Sequence, residues 1–373
     1  MKFNSSHNSF TNMKKIENSS ESDKKNNEST SYFFKVFILL LLVVQNSSHA
    51  LTMRYSRIQH SSDETYIAST AVLTGELVKL VLSFIFCLIS DYKFNCWRLL
   101  STFKAELFDL DFIKLTVPAF LYVVQNNLTF MATSNLPAEI YQVLSNLKII
   151  STAIFTVIVL RRPQNIPQWV AITALTLGIG CVQVSQSKGD NSNSEHKNML
   201  FGLICVTAAA IISGFAGVYF ELVLKSSNTS IWIRNFQLAL ISLFISAFGV
   251  IANDYNEIKT KGFFFQYDSI VITVILIGAA GGLIVAIVIK FLDNISKGFA
   301  SGSSIVLSCF VSRYYFSNES VINLMFISGT GLVCFSIIGY SVASQLKTHS
   351  ANTISNKEKL GSTFYDTERG IKN

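Results

Sequence analysis

The chain has 373 residues, half of them hydrophobic and only 14% charged, with a formal net charge of +7. Soluble proteins of this length carry nearer a quarter charged residues, and the apolar runs here are continuous rather than alternating, which excludes a soluble domain and a β-barrel in favour of an all-α, polytopic membrane protein. The basic residues are scattered over tails and short loops without a nucleic-acid motif, so nucleic acid is excluded as a partner.

Met1–Ser31 is polar and rich in Asn, Ser and Lys, and the first apolar run starts only near Phe33. It reads as a disordered tail rather than a cleavable signal peptide. Ten spans follow, at 33–53, 65–90, 112–134, 138–160, 166–185, 199–224, 231–253, 268–292, 299–316 and 321–344. Each is close to the roughly 20 residues a bilayer crossing needs. The polar stretch 186–198 separates a first half, 32–185, from a second, 199–344, and 345–373 reads as another polar tail. Five spans per half would insert the halves with opposite orientation, an arrangement that transporters use around a midplane site. Ten spans put both tails on one side. The loops alone decide little, but Lys14, Lys15, Lys24, Lys25, Lys347, Lys357 and Lys359 lie in the tails and place them in the cytosol.

Polar residues inside the spans carry the functional signal. Gln45 to His49 interrupt the first. Glu76 and Lys79 in the second stand at i, i+3, where they either neutralise each other for structure or form a gate or relay. The third carries Gln125, Asn126 and Asn127; the fourth carries Tyr141, Gln142, Ser145, Asn146 and Lys148. A lysine this deep costs roughly 2.5–3.5 kcal/mol on insertion scales and usually faces the bundle interior with a partner. On a helix Tyr141, Ser145 and Lys148 share one face, offering a ring, a hydroxyl and a cation suited to a base plus a phosphate.

In the second half, Ser213-x-x-x-Gly217 and Gly278-x-x-x-Gly282 fit the close-packing pattern of small residues. Tyr219 and Glu221 lie near the end of the sixth span, and Arg234, Asn235 and Gln237 open the seventh. Lys290 to Gly298 joins the eighth and ninth, with Lys297 before the apolar stretch of the ninth, where helix amides favour anions. Lys297 is either a plain loop charge or, with Lys148, half of a phosphate grip. The ninth span contains Ser301, Ser303, Ser304, Ser308 and Ser312.

The six Cys, at 87, 96, 181, 205, 309 and 334, show neither C-x-x-C spacing nor His pairing, so no metal or other cofactor is expected. There is no G-x-S-x-G, H-E-x-x-H or P-loop and no carboxylate pair set for acid–base work, which weighs against an enzyme.

These residues resemble the nucleotide-sugar transporter family, in the branch carrying UDP-galactose, UDP-N-acetylglucosamine and CMP-sialic acid. The likeness rests on Leu51-Thr-Met-Arg-Tyr-Ser-Arg57, Gln125-Asn-Asn127, Ser134-Asn-Leu-Pro137, Tyr141-Gln-Val143 and Leu147-Lys-Ile149. It continues through Tyr219-Phe-Glu221, Leu224-Lys-Ser-Ser227, Ile231-Trp-Ile-Arg-Asn235, Gly281-Gly282, Asp293-Asn-Ile295 and Lys297-Gly-Phe299. The resemblance implies ten helices of the drug/metabolite transporter fold in two inverted five-helix halves. It also implies a Golgi or endoplasmic-reticulum membrane and exchange of a cytosolic nucleotide sugar for a luminal nucleoside monophosphate. By resemblance Tyr122, Asn126 and Tyr141 hold the nucleoside, Lys148 and Lys297 the phosphates, and Asn235 the base or ribose. Asn127, Ser145, Glu76, Lys79 and Ser304 are secondary candidates.

The sequence departs from the family in three places. Ser145-Asn146 stands where Tyr-Gln is usual, Leu292 where a small residue is usual, and Ser301-Gly-Ser-Ser304 where relatives are Ala- and Ser-rich. These departures bear on which sugar is carried. UDP-sugars are expected over CMP-sialic acid. A carrier of other phosphorylated metabolites and a non-transporting scaffold are the rival readings. Membrane lipid surrounds the chain, and the oligomeric state stays open, with a homodimer among the options.

Overall fold

The computed structural model describes residues 33–56, 66–91, 110–186, 198–226, 229–315 and 323–346. The predicted N-terminal tail, nearly all of the 186–198 linker and nearly all of the C-terminal tail lie outside the described residues. Every regular element among the described residues is a helix: α1 (Phe33–Ser56), α2 (Ala68–Phe86, running into a π-helical turn at Cys87–Asp91), α3 (Leu110–Asn135), α4 (Ala138–Ser145), α5 (Leu147–Val159) and α6 (Ile166–Gln186). Then come α7 (Met199–Ser226), α8 (Ile231–Asn253), the short α9 (Tyr255–Lys261), α10 (Ser269–Phe291), α11 (Asn294–Tyr315) and α12 (Leu324–Leu346).

Nine stretches among the described residues are long and apolar enough to cross a membrane, α4 and α5 together forming one of them (Ile140–Val159). The predicted third span corresponds to α3, which has the length at 26 residues but carries Lys114, Gln125, Asn126 and Asn127 along it. Of these four, Gln125 lines the space described below, while Lys114, Asn126 and Asn127 are exposed; α3 runs along α7.

Helix starts follow capping chemistry. Ser230, Asp268, Asp293, Asn323 and Asn198 each accept a hydrogen bond from a first-turn amide of the helix they precede. Asp293 corrects the predicted start of the ninth span. Its carboxylate accepts from the Ser296 amide at 2.6 Å, so α11 begins at Asn294 rather than 299 and Lys297 lies in its first turn instead of ahead of it. The predicted fourth span is likewise two helices, broken at Asn146. Conversely, Gln45 and Ser47 do not weaken α1. Gln45 donates to the Ile277 carbonyl of α10 and Ser47 to the Ser304 carbonyl of α11, so the polar run is a packing face.

The largest buried cluster joins α5, α6, α11 and α12 through Ile149, Ile172, Leu175, Ile179, Phe299 and Val333. A second joins α3, α7 and α10 through Leu115, Phe220, Leu224 and Ile289. A third packs Ile38 and Leu42 of α1 on Val288 and Ala300. Elsewhere α2 runs along α8 and α5 along α7.

Small residues set the closest approaches. An added Cβ at Gly178 would stand 2.9 Å from the Gly329 carbonyl, and one at Gly329 would stand 2.8 Å from that of Gly178, so α6 and α12 meet backbone to backbone. Gly178→Val should therefore lower the thermal midpoint of the solubilised protein by an amount corresponding to about 1–3 kcal/mol of overpacking. Gly331→Ala, where an added Cβ meets nothing within 4 Å, should leave it unchanged. Equal midpoints for the two variants would contradict this packing.

Candidate functional site

The site begins with the break in the fourth span. At Asn146 the backbone tightens to i→i+3 bonding: the Asn146 amide donates to Val143 and the Ile149 amide to Asn146. The Gln142 carbonyl is then served by side chains, Ser145 Oγ and Asn146 Nδ2, both at 2.9 Å. Irregular backbone at membrane depth is tolerated where it lines a cavity, and this one does. The turn leaves Tyr141, Ser145 and Lys148 lining common space, as the i, i+4, i+7 spacing predicts.

A cavity of about 200 Å³ lies between α3, the α4–α5 break, α6, α7 and α11. Lys148 enters it from α5 and Lys297 from the first turn of α11, near enough for the two charges to repel. No carboxylate lines this cavity, and neither ammonium has an ion-pair partner among the described residues. Two like charges facing one cavity between packed helices are costly to hold together, and an anion placed between the two lysines offsets that cost. Polar groups without charge complete the wall, among them Tyr122, Ser145, Asn146, Gln183, Ser213 and Ser301.

Two smaller cavities share residues with the first. One, of about 160 Å³, shares Tyr122 and Lys297 and runs past Asn235 between Phe220, Leu238 and Leu283. Lys79 reaches it too, over Gly282, where an added Cβ would come within 2.7 Å of the lysine stem. Lys79 pairs with Glu76 at 2.6 Å, which leaves Glu76 Oε2 buried without a hydrogen bond. The other cavity, of about 80 Å³, shares Ser145, Lys148 and Ser213 and contains Tyr141, Gln125 and Thr129.

Of the sequence-predicted residues, the structure thus brings Tyr122, Tyr141, Ser145, Lys148, Asn235, Lys297 and Lys79 around three neighbouring cavities that share lining residues. Asn126 and Asn127 are exposed and line none of these cavities; Gln125 is the α3 amide that does. Ser304 is buried in the α1–α11 contact, donating to the Ser301 carbonyl. Gln183 was not singled out from sequence. A glutamine inside an apolar run was the available signal.

One end of the bundle is tied by Glu221 of α7. Its carboxylate, fully buried, accepts from Lys225 at 2.7 Å, from Arg162 at 3.3 Å and from the Asn294 amide at 2.8 Å. Lys225 also donates to the Leu292 carbonyl. Arg161, with φ of 52°, takes the left-handed region that L-residues avoid, and so turns the chain out of α5 beside Arg162. Asn294 lies on both this network and the main cavity, and its amide packs on Gly217.

Residues 30–341 match the family described as nucleotide-sugar transporter. The chain is 41% identical over 313 residues to the UDP-galactose transporter of Schizosaccharomyces pombe, spanning 83% of this chain and 88% of that protein. It is 38% identical over 292 residues to the UDP-N-acetylglucosamine transporter of Homo sapiens, spanning 78% and 89%. Over 300 residues it is 40% identical to the UDP-galactose translocator of Homo sapiens, spanning 80% and 74%. One crystal structure, only 12% identical, superposes with a TM-score of 0.60 over 84% of this chain and 96% of that one, a likeness of fold.

Proposed function

This chain belongs to the nucleotide-sugar transporter family, a family of transporters rather than enzymes, and from that premise we propose that it exchanges a cytosolic UDP-sugar for luminal UMP by alternating access. The sugar is galactose or N-acetylglucosamine, in keeping with the names of its relatives. The membrane is that of the Golgi or endoplasmic reticulum, with both tails cytosolic. The observation that carries the reading is the pair of lysines, Lys148 from the first half and Lys297 from the second, facing one cavity with no carboxylate beside them. They hold the phosphates, while Tyr122, Tyr141 and Asn235 hold the nucleoside in the adjoining space, with Gln125 in the place expected of Asn126.

The pairing of spans supports the alternating-access reading. Advancing each span by five maps α3 on α7 to α10 on α1, and α5 on α7 to α11 on α1, while α2 on α8 and α6 on α12 map to themselves. That pattern supports two inverted halves about an axis through the cavity. Glu221 then closes the end shared by the C-termini of α5, α7 and α10, the cytosolic end in this topology. Near the other end the corresponding elements, α1 and α11, are joined by Arg54 donating to Ser312 at 2.8 Å.

The test is counterflow in proteoliposomes preloaded with UMP or CMP and challenged with labelled nucleotide sugars. Uptake that requires internal UMP is the expected result. A requirement for CMP would move the substrate to CMP-sialic acid, and no stimulation by either nucleotide in folded protein would overturn the antiport reading.

A further inference from the structure

Three neighbouring cavities share lining residues around the two lysines and form three arms of the site. One runs past Asn235 between apolar walls. A second runs past Gln125 and the Tyr141 ring. The third, between the α4–α5 break, α6 and α11, is walled by Asn146, Gln183 and Ser301. A base is met by ring faces and apolar walls with a few hydrogen bonds, whereas a pyranose presents a hydroxyl on nearly every carbon and needs closely set donors and acceptors. The third arm is where two side-chain amides, Asn146 and Gln183, stand against each other at the cavity wall.

The Asn146 side chain is 4% exposed, and its orientation follows from its bonds. It donates to the Gln142 carbonyl at 2.9 Å, which only the amide nitrogen can do. The same nitrogen donates to Gln183 Oε1 at 2.6 Å, so Gln183 must present its oxygen to Asn146. What remains is Asn146 Oδ1, an acceptor, and Gln183 Nε2, a donor. Neither has a partner among the described residues, and neither is sealed from the space that both side chains line. The arm is held rigidly: an added Cβ at Gly302 would stand 2.7 Å from Ile179 and 3.0 Å from Leu175, so α11 is seated on α6.

We propose that the Asn146–Gln183 amide pair reads the sugar of the nucleotide sugar and sets which pyranose is carried. The inference rests on the antiporter reading above and deepens it. One free acceptor beside one free donor matches a hydroxyl pair or an acetamido group, and a substrate that leaves either amide unmatched in this closed space is disfavoured. Galactose and N-acetylglucosamine meet the pair with different atoms, a hydroxyl in one and an acetamido group in the other, so altering one amide changes the two sugars' uptake unequally. The Asn146 amide is short enough to satisfy the broken helix and Gln183 at once.

The experiment measures initial uptake of labelled UDP-galactose and UDP-N-acetylglucosamine into UMP-loaded proteoliposomes, alongside UMP self-exchange, for wild type, Gln183→Leu and Gln183→Asn. The ratio of the two sugar rates should shift roughly three- to tenfold, the range for one neutral hydrogen bond, and by more than UMP self-exchange changes. Gln183→Asn retains an amide one methylene shorter and carries the same test if Gln183→Leu does not fold. An unchanged ratio in variants that still exchange UMP would overturn the sugar assignment while leaving the antiporter reading standing. Equal losses in all three fluxes would mark Gln183 as structural and overturn it too. Absence of UMP exchange in wild type would instead overturn the antiporter reading, and the sugar site with it.

Discussion

Replacing either cavity lysine should abolish transport without harming the fold. Lys148→Ala and Lys297→Ala each remove one charge from the proposed phosphate site, a loss of about 2–5 kcal/mol for a buried, hydrogen-bonded charge pair. That corresponds to roughly thirty- to several-thousandfold in binding. The empty protein should melt no lower than wild type. Each lysine is uncompensated by any carboxylate in the cavity, so deleting one relieves repulsion and desolvation rather than breaking a bond. The distinctive result is a variant of normal intrinsic stability whose melting point no longer rises with UMP. Near-normal uptake in both variants would sink the phosphate assignment. A fall in the melting point of both, before any ligand is added, would make the lysines structural.

Glu221→Ala should behave in the opposite way, losing stability first. The carboxylate is fully buried and holds Lys225, the Asn294 amide and Arg162. Removing one partner of a buried charge pair costs about 3–5 kcal/mol; Arg162 is half exposed, so the lower end applies. Glu221→Gln keeps the shape and an acceptor for the Asn294 amide but discharges the knot, and so separates packing from gating. If the knot holds the cytosolic end closed, a cysteine at Gly298 should react faster with an impermeant thiol reagent from that side in the Gln variant. Position 298 lines the main cavity, and an added Cβ there meets only Ile149, at 3.8 Å. Unchanged labelling together with an unchanged melting point would mean that Glu221 ties nothing that moves.

The membrane class, the apolar runs and most of the polar residues that line the site were legible in the sequence, Gln183 being the exception. The hydrocarbon thickness fixes the length of a run, and the expense of Lys148 in lipid marks it without knowledge of its neighbours. Family membership followed from motifs in order along the chain. Helical spacing also placed Tyr141, Ser145 and Lys148 together, because their relation is local. What spacing could not reach was any relation between elements. Periodicity says that a face is turned inward, but not toward which helix. Only the tertiary structure brings Lys297 to Lys148, sets Gln183 against Asn146, and gathers Arg162, Lys225 and Asn294 around Glu221. It also turns Asn126 away from the space that Gln125 lines, a difference of one residue, about 100° on a helix, which a polar run of three cannot resolve. Two local features were decided by single hydrogen bonds that hydropathy does not weigh: the Asp293 cap that draws Lys297 into α11, and the Asn146 side chain that stabilises a broken helix at membrane depth. Both lie at the cavity. There the chain leaves the regular pattern because backbone and side-chain polar groups must satisfy one another before a ligand arrives.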